Sequence, residues 1–546
     1  MPVRCDGQTI SDIIIRTAPP AIAGISRRSE MLARALLSMH ATTRPEIVRR
    51  LVVFEKGQPC VELRRAESER ILRAQRYLAE ASIIAYDDGT GGVVLEVLTV
   101  DELSTIIDVG ATASSPYVRR LKLGSSNVGG EAVLLEAQWQ HSDGPYRDGY
   151  GGRFVDYQFA GRPYELSFSG IRRALGYEYT GIASHAFLTD LQRVAWRTAV
   201  GRRAEYVTFL RPDVDAPASY VERKFVDVGG IVRLGEPGRL SLFGASFTQE
   251  QDDPENEYVR ITGRGLVADT SQRRLTYRDY RSARLNALWG VRNIHFMRVT
   301  GFDALAATQD VRVGFQLGTL FGRSLAVLGS KNDDIFVSAD VYGGMGSARS
   351  FAAFQLQGEG RQSYDDNAWD GILGSGRAAI YRRATARQTF VADAEWSGGW
   401  RQRVPFQLTF SDGRGGIRGY ARSRAAGARR MVTRLEDRWY VGRFRGVADV
   451  GLSPFFDAGR LWAGDAPFGA DTRVHYGAGI ALLASVPPRS KRLYRLEVGF
   501  PITKDPHARW QVRLLTSDLT RVFWDEPQDV RRSRESTVPA SIFNWP

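Results

Sequence analysis

Cysteine and histidine are scarce in this chain, which has 546 residues, two cysteines and six histidines. Cys5 and Cys60 are too few for a disulfide scaffold and lack the spacing of metal ligands, and whether they form one bond stays open. The sequence contains no His-Glu-x-x-His pattern, no Gly-x-Ser-x-Gly turn and no phosphate-binding Gly-x-x-x-x-Gly-Lys loop. We therefore expect no catalytic residues, no metal site and no cofactor, and a protein that is not an enzyme.

Long apolar runs are also missing, since none approaches the roughly 18 residues that a membrane-spanning helix requires. This excludes a helical membrane protein but not a β-barrel, in which alternate residues face lipid and closure pairs the backbone groups. The first residues lack the positive stretch and apolar stretch of a secretory signal peptide. Either a signal peptide has been removed or the protein is not exported, and an outer-membrane barrel requires the first alternative.

Positive charge exceeds negative charge, with 74 Lys and Arg against 61 Asp and Glu and a formal net charge of +13. Nearly all of the positive residues are arginines, and they are spread along the chain. Because no recognition helix or base-stacking sheet motif accompanies them, we do not expect nucleic-acid binding. The arginines can instead pair with acids inside a barrel, contact anionic lipid head groups at its rim, or do both.

One stretch, Ser411–Tyr420, is too rich in glycine and charge for a strand and indicates a loop tip that enters a narrow space. It contains Gly415-Gly416-Ile417-Arg418-Gly419-Tyr420. Two later pieces end alternating segments and therefore lie on predicted strands: Leu435-Glu436-Asp437-Arg438 and Phe455-Phe456-Asp457-Ala458-Gly459. A planar guanidinium with five donors can bind two carboxylates at once. We expect Arg418 to reach from an inward-folded loop, near 411–430, to Glu436 and Asp457.

These pieces resemble the BamA/TamA superfamily of outer-membrane insertases and secretion pores. That family has an Ile/Val-Arg-Gly-Phe/Tyr loop motif, matched by Ile417–Tyr420, and a Phe-x-Asp-x-Gly strand motif, matched by Phe455–Gly459. The resemblance implies that the loop folds into a barrel lumen and that Arg418 pairs with Asp457. It also implies that Glu436 takes the family's acidic position on the intervening strand.

Residues 10–103 predict a small α/β domain, preceded by an N-terminal extension of residues 1–9. Apolar residues from Met31 to Met39 recur at helical spacing and predict an additional helix at 25–40. The first of the other predicted elements is a strand, Ile10–Ile15. Two helices follow, one that begins at the capping-box pattern Thr43–Glu46 and one over Leu63–Leu78. The last two elements are the strands Ala81–Tyr86 and Val93–Val100.

This order of elements resembles a single POTRA module. The segments Thr43–Arg50 and Glu67–Arg73 resemble a surface-antigen branch of the same superfamily. The alternative is a generic α/β adaptor domain with a similar order of elements.

From about Ser104 onward, apolar and polar residues alternate with a period of two, which is typical of half-buried strands. A soluble sandwich would turn the apolar face toward a partner sheet, whereas a membrane barrel turns it outward and keeps charge in the lumen. The length of 104–524 without a helical interruption, and aromatics near strand ends, favour the barrel. We predict a mainly β protein, a 16-stranded transmembrane antiparallel β-barrel with one small N-terminal α/β POTRA domain.

The predicted turns differ in length, as in outer-membrane barrels. Gly235–Gly238 predicts a short turn, whereas Gln249–Asn256 and Gln362–Asn367 predict long polar loops. Trp510–Leu515 predicts the last strand, after which a C-terminal tail, 525–546, either caps the barrel mouth or lies disordered. Members of the family end on a strand-terminal aromatic, so the tail also makes the usual pairing of first and last strands an open question.

The resemblance implies a monomeric barrel in the outer membrane of a Gram-negative-type bacterium, with the POTRA domain in the periplasm. Its partners would be outer-membrane lipids and an unfolded client polypeptide, which adds a strand to the edge of the POTRA sheet. The barrel would then assist insertion, assembly or translocation of the client, while the Arg418 loop braces the lumen. The alternative is a passive or gated pore, or a structural surface antigen, without insertase activity.

Overall fold

The structure of the protein is a computed structural model that describes residues 2–20, 40–112, 118–141, 146, 148–211, 217–269, 277–411, 415–518 and 523–534. The additional helix predicted at 25–40 lies outside these ranges, apart from residue 40, and so does the chain end at 535–546. Within the described ranges no helix combines the length and apolarity needed to cross a membrane.

In its described residues the N-terminal domain is a five-stranded mixed sheet with two helices, and the strand order is β1-β4-β5-β2-β3. Strand β2 runs parallel to β5, and the other pairs are antiparallel. Its elements are β1 (Pro2–Val3), β2 (Asp6–Ala18), α1 (Pro45–Arg49), β3 (Pro59–Val61), α2 (Glu62–Arg73), β4 (Leu78–Asp87) and β5 (Val93–Asp101). The segment predicted as an extension thus supplies β1 and the start of β2.

The turn between β4 and β5 forms because Asp88 satisfies several backbone donors at once. Its Oδ1 accepts hydrogen bonds from the N–H groups of Thr90, at 2.7 Å, and Gly92, at 2.9 Å. The hydrogen bond from the Thr90 backbone is the largest cause that lowers the pKa of Asp88 to about 2. Gly89 and Gly91 have φ values of 79° and 90°, which a tight turn of this kind requires.

The capping box predicted at Thr43–Glu46 is wrong. Helix α1 begins after Arg44, which makes no side-chain cap. The Thr43 hydroxyl instead accepts a hydrogen bond from the amide of Asn127, at 2.8 Å, and the Thr43 N–H donates to Asp101 at 2.7 Å. Because Asn127 lies in a turn of the barrel, Thr43 attaches the domain to the barrel rather than capping the helix.

The two cysteines form a disulfide bond in the N-terminal domain. Cys5 and Cys60 have Cα atoms 4.8 Å apart, and 55 positions separate them in the sequence. The bond joins the segment before β2 to β3 and therefore closes one edge of the sheet.

The rest of the chain forms a closed antiparallel β-barrel, and in the described residues it has 20 strands rather than the predicted 16. The prediction of 16 is therefore wrong. The N-terminal half consists of β6 (Thr105–Thr112), β7 (Val118–Ser125), β8 (Val133–His141), β9 (Asp148–Asp156), β10 (Glu165–Arg173), β11 (Gly176–His185), β12 (Val194–Thr208), β13 (Pro217–Glu236), β14 (Arg239–Thr262), β15 (Gly265–Ala268) and β16 (Tyr280–Thr300).

Strand β15 only extends the end of β14 as a short hairpin, because β14 itself pairs with β16. The second half of the barrel consists of β17 (Thr308–Ser324), β18 (Asp334–Gly346), β19 (Ser350–Ser363), β20 (Ala368–Arg383), β21 (Gln388–Trp400), β24 (Arg429–Phe444), β25 (Ala448–Trp462), β26 (His475–Ser485), β27 (Arg492–Pro501) and β28 (Gln511–Asp518). The barrel closes where β28 pairs with β6.

The alternation predicted from the sequence separates the two faces of the wall. On β24, Met431, Leu435 and Trp439 point outward and are each more than 40% exposed. The residues between them, such as Arg434 and Glu436, point into the lumen and form ion pairs there. A wall with apolar residues outside and paired charges inside has the pattern of a membrane barrel.

Both long loops predicted from polar composition are wrong. Gln249–Asn256 lies within β14, and Gln362–Asn367 contains only a four-residue turn between β19 and β20. A polar segment can form this strand partly because its inward-facing acids are paired. Glu250 contacts Arg284 and Arg361 at 3.3 and 3.2 Å. Strand β14 also has 24 residues, far more than the roughly 9–11 that span a bilayer. Part of it therefore extends beyond the hydrocarbon region, where polar residues are expected.

The N-terminal domain sits on one end of the barrel, which we call the domain end. The Gln158 amide, in the turn between β9 and β10, donates to the carbonyl of Ile47 at 2.8 Å. Arg70 on α2 donates to the carbonyl of Leu188, between β11 and β12, at 2.5 Å. These turns all lie at the same end because successive strands alternate in direction.

Two segments enter the lumen from opposite ends. The lumen loop, residues 401–428, connects β21 to β24 at the end away from the domain and is closed by a small sheet of β22 (Leu408–Thr409) and β23 (Ala426–Gly427). The C-terminal segment, residues 523–534, follows β28 from the domain end and contains α3 (Gln528–Ser533). The tail predicted to cap the mouth or lie disordered therefore has a described part inside the barrel.

Candidate functional site: a charge cluster in the lumen

Arg418 lies at the tip of the lumen loop and contacts both acids that the sequence indicated. Its Nε donates to Asp457 Oδ2 at 2.8 Å, and its Nη2 donates to Oδ1 at 2.5 Å. The Arg418 N–H donates to the same carboxylate at 3.0 Å, and Nη1 donates to Glu436 Oε1 at 2.8 Å. Phe455 lies under the guanidinium, with the ring centroid 3.5 Å from Cζ. Charge-assisted, bidentate bonds of this kind are strong and directional.

The structure adds residues to this site that the sequence interpretation did not assign. Glu497 on β27 lies 3.6 Å from Arg418 Nη1. Arg495 binds both Glu436 and Glu497 at 2.9 Å, and Arg513 on β28 binds Glu497 at 2.5 Å. The inward register of Arg495 and Glu497 could be found from the alternation along β27, but their approach to Arg418 could not.

We call these residues, together with Arg438, the charge cluster. Its members are Arg418, Glu436, Arg438, Asp457, Arg495, Glu497 and Arg513. They connect the lumen loop to β24, β25, β27 and β28. Buried charges are costly to desolvate unless they are paired and hydrogen-bonded, and here each acid has at least one arginine partner.

Glycines let the loop approach the wall closely. Gly419 has a φ of 96°, and a Cβ there would lie 2.9 Å from the nitrogen of Pro501. A Cβ on Gly477 of β26 would lie 2.4 Å from the carbonyl oxygen of Arg418. Tyr420 then bonds the wall through its hydroxyl, which lies 2.8 Å from the carbonyl oxygen of Tyr476. The Arg-Gly-Tyr order therefore combines an ion pair, a close backbone approach and a hydrogen bond.

An apolar cluster supports the loop behind Arg418. Ile417, Phe410 and Tyr420 are fully buried and pack together. A Cβ on Gly459 of the strand motif would lie 3.0 Å from Cγ2 of Ile417, so this glycine makes room for the isoleucine. Gly416 is also required, since its Cβ would lie 2.0 Å from the carbonyl oxygen of Phe410. Gly415 has a φ of 98°, and its Cβ would collide with Pro527 of the C-terminal segment.

Polar contacts around Glu102 and Lys491 also hold the N-terminal domain against the barrel. Glu102, just before β6, accepts hydrogen bonds from the Ser490 hydroxyl at 2.6 Å and from the Lys491 N–H at 3.2 Å. Lys491 Nζ in turn donates to the carbonyls of Arg73 and Leu78. Burial raises the pKa of Glu102 above its ordinary value. The turn between β26 and β27 is thereby fastened to the domain.

The site joins the lumen loop to the barrel wall through ion pairs. Its groups are arginines and carboxylates that neutralise one another, and the described residues contain no cluster of three metal-binding side chains. These ion pairs connect the loop to the last strands of the barrel.

Solved structures with a similar chain course include outer-membrane barrels of low sequence identity. BamA from Haemophilus ducreyi lacking POTRA domains 1–3 is 14% identical, with 93% of this chain and 85% of that chain covered and a TM-score of 0.40. CdiB from Escherichia coli is 14% identical, with coverages of 94% and 91% and a TM-score of 0.42. CdiB from Acinetobacter baumannii is 9% identical, with coverages of 94% and 74% and a TM-score of 0.40. The sequence matches no family profile and no curated protein.

Proposed function

We propose that this protein is a monomeric outer-membrane barrel of a Gram-negative-type bacterium that assists the insertion, assembly or translocation of polypeptides. In this proposal the N-terminal domain lies in the periplasm and receives the client. The observation that carries it is the position of the charge cluster, which fastens the lumen loop to the strands beside a weakly paired barrel seam.

The seam is where β28 meets β6, and within the described residues, which leave out 113–117 and 519–522, two residue pairs join them: Arg513 with Thr112 and Leu514 with Ala111. The neighbouring pair β27–β28 has eight residue pairs. Because Arg513 belongs to the charge cluster, the lumen loop is linked to the strand that borders the seam. A short ladder costs little to open, so this border is the place where a client strand could enter the wall.

The described part of the wall is also low at the seam. Within the described residues, strands β6 and β28 have eight residues each. At about 3.3 Å per residue and a tilt of about 40°, such a strand rises about 20 Å, against a hydrocarbon core of about 30 Å. A wall shorter than the bilayer is matched by thinning of the lipid, which lowers the barrier to inserting a client.

The edge of the N-terminal sheet offers a place to receive an extended chain. Strand β2 pairs with β5 from Ile10 to Ala18, but on its other side β3 and the residues before it cover the described chain only as far as Ile10. Within the described residues no strand lies beyond Ser11 on that side. Main-chain groups there can bind a client strand by β-augmentation, which is largely independent of the client's side chains.

The seam can be tested by locking it. We expect liposomes containing the protein to fold an unfolded client barrel faster than empty liposomes, with folding followed by gel mobility. A disulfide between Ala111→Cys and Leu514→Cys should remove that gain, and reduction should restore it. The matched control is Ala353→Cys with Ala379→Cys, which are paired in the continuous wall of β19 and β20.

Equal folding rates in empty and protein-containing liposomes would contradict the proposal. Loss of the acceleration in both crosslinked variants would show that opening of the seam is not what speeds the folding of the client.

The sheet edge can be tested by crosslinking. A photoreactive residue at Ile14, which is 41% exposed on β2, is expected to crosslink to an unfolded client. The same residue at Val97, which is fully buried on β5, is the control. Crosslinking equal to that of the Val97 control would contradict β-augmentation at this edge.

The second candidate is a passive or gated pore, favoured by a lumen that two segments fill from opposite ends. It predicts large steady openings in a planar bilayer once Arg418 is replaced by alanine, and no acceleration of client folding. The seam experiment and this conductance measurement together separate the two candidates.

A further inference from the structure

Phe523, the first described residue of the C-terminal segment, lines a cavity between the domain and the barrel. This cavity has a volume of about 200 Å³ and is lined by Arg70 and Arg73 of α2 and by aromatic residues of the wall. The Phe523 ring lies in it, with its centroid 5.8 Å from that of Tyr342. Arg377 Nη1 donates to the Phe523 carbonyl at 2.7 Å. The domain end of the barrel therefore has an entrance that already holds a peptide chain.

Farther into the lumen, the segment reaches side chains of the wall and the lumen loop. Arg534 donates to Glu359 on β19 at 3.0 Å and to the Ser375 hydroxyl on β20 at 2.8 Å. Asp529 accepts two hydrogen bonds from Arg430, at 2.6 and 3.0 Å. Val530 is fully buried in the apolar cluster that also contains Ile417 of the lumen loop. The segment is thus packed against the loop that carries Arg418.

Several contacts recognise the main chain rather than particular side chains. Arg203 on β12 and Arg223 on β13 both donate to the carbonyl of Arg532, at 2.7 and 2.9 Å. Arg377 on β20 does the same for Phe523. Inward arginines from three strands therefore bind peptide carbonyls near both ends of the segment, at positions 523 and 532. Carbonyls are present in every polypeptide, so this recognition does not require the sequence of the tail.

We propose that this wall is a polypeptide-binding track, and that the C-terminal segment occupies it as an internal substitute for a client chain. The track comprises Arg203, Arg223, Ser375, Arg377 and Arg430. The inference rests on the proposed function, which supplies the client. The inference adds that the client's path runs through the lumen. Its ligand is a polypeptide that enters at the domain end, presents carbonyls to the arginines and offers a carboxylate to Arg430.

Attachment to β28 gives the segment an advantage over a free ligand. A tethered segment binds at an effective concentration in the millimolar range, so modest contacts are sufficient to keep the track filled. A client delivered by the N-terminal domain is also held close to the entrance and can compete on similar terms. Displacement of the segment would remove Val530 from the apolar cluster and Pro527 from beside Gly415, which loosens the lumen loop.

The test compares the full chain with a variant that lacks residues 523–546, both in planar bilayers. We expect the shortened variant to conduct several-fold more and a synthetic peptide of residues 523–534, added from the domain side, to block it again. In the peptide, Asp529→Asn should weaken the block at least about tenfold because the charged pair with Arg430 is lost. The matched control is Asp525→Asn, since Asp525 is highly exposed and pairs with Arg531 of the same segment at 2.9 Å.

A second variant tests the track without shortening the chain. Asp529→Asn in the full-length protein keeps every other contact of the segment and should raise the frequency of openings, whereas Asp525→Asn should not. Unchanged conductance in both the shortened variant and full-length Asp529→Asn would overturn the inference, and so would equal block by the two substituted peptides. Peptide block without any gain in client folding or transport would contradict the proposed function while leaving the track in place.

Discussion

Replacing Arg418 by alanine is expected to lower the free energy of unfolding of the barrel by about 3–5 kcal/mol. Asp457 is fully buried, and its described hydrogen bonds come from Arg418 alone: two from the guanidinium and one from the N–H. Without the guanidinium, the carboxylate keeps one hydrogen bond, and its neighbour across the ladder, Arg434, forms its ion pairs with Asp393 and Glu395 instead. Urea unfolding of the protein refolded in lipid vesicles measures the change.

The control for this variant is Arg278→Ala. Arg278 also pairs with a carboxylate, Asp366, at 3.2 Å, but their side chains are 83% and 53% exposed. Exposed pairs contribute about 0–1 kcal/mol, so this control should unfold almost as the unchanged protein does. Equal losses in the two variants would show that burial of Asp457 does not matter. Arg418→Lys should fall between them, because an ammonium cannot form the bidentate pair.

Replacing Gly419 by alanine is expected to cost about 2–5 kcal/mol through two separate effects. The residue has a φ of 96°, which an L-residue with a Cβ rarely adopts. The added Cβ would also lie 2.9 Å from the nitrogen of Pro501 and 3.0 Å from the carbonyl carbon of Phe500. Backbone atoms of β27 cannot move aside without disturbing the ladder, so the loop must withdraw. Urea unfolding in vesicles again gives the size of the effect.

Gly329→Ala separates the two effects. Gly329 has nearly the same φ, 93°, but no atom lies within 4 Å of the position of its Cβ. This variant therefore carries only the conformational cost, about 1–3 kcal/mol, and should leave the lumen loop in place. If Gly419→Ala is no more destabilising than Gly329→Ala, the close approach of the loop to β27 is not a constraint.

The predictions from sequence succeeded where the evidence was local. Alternation placed the pieces that contain Glu436 and Asp457 on strands, and they lie on β24 and β25, whereas their pairing with Arg418 was what the family resemblance implied. Glycine content identified the lumen loop, because only residues without a Cβ fit where Gly416 and Gly419 lie.

The errors arose where polar segments were predicted to be solvent-exposed. Gln249–Asn256 is a strand because its inward acids meet arginines from other strands, which composition cannot reveal. The pattern at Thr43 predicts a helix cap, but the Thr43 hydroxyl binds Asn127 of the barrel, 84 positions away. The number of strands was wrong because closure depends on the tilt and stagger of the whole sheet, which no single segment encodes.

The amino-acid sequence alone determined the mainly β character, the two faces of the wall, the small α/β domain before it and the loop that carries Arg418. These follow from periodicity and backbone freedom, which act over a few neighbouring residues. Only the tertiary structure decided the 20 strands, the addition of Glu497 and Arg513 to the cluster, and the path of residues 523–534 through the lumen. Those features depend on which inward side chains meet across a closed wall, and that is a property of the assembled barrel.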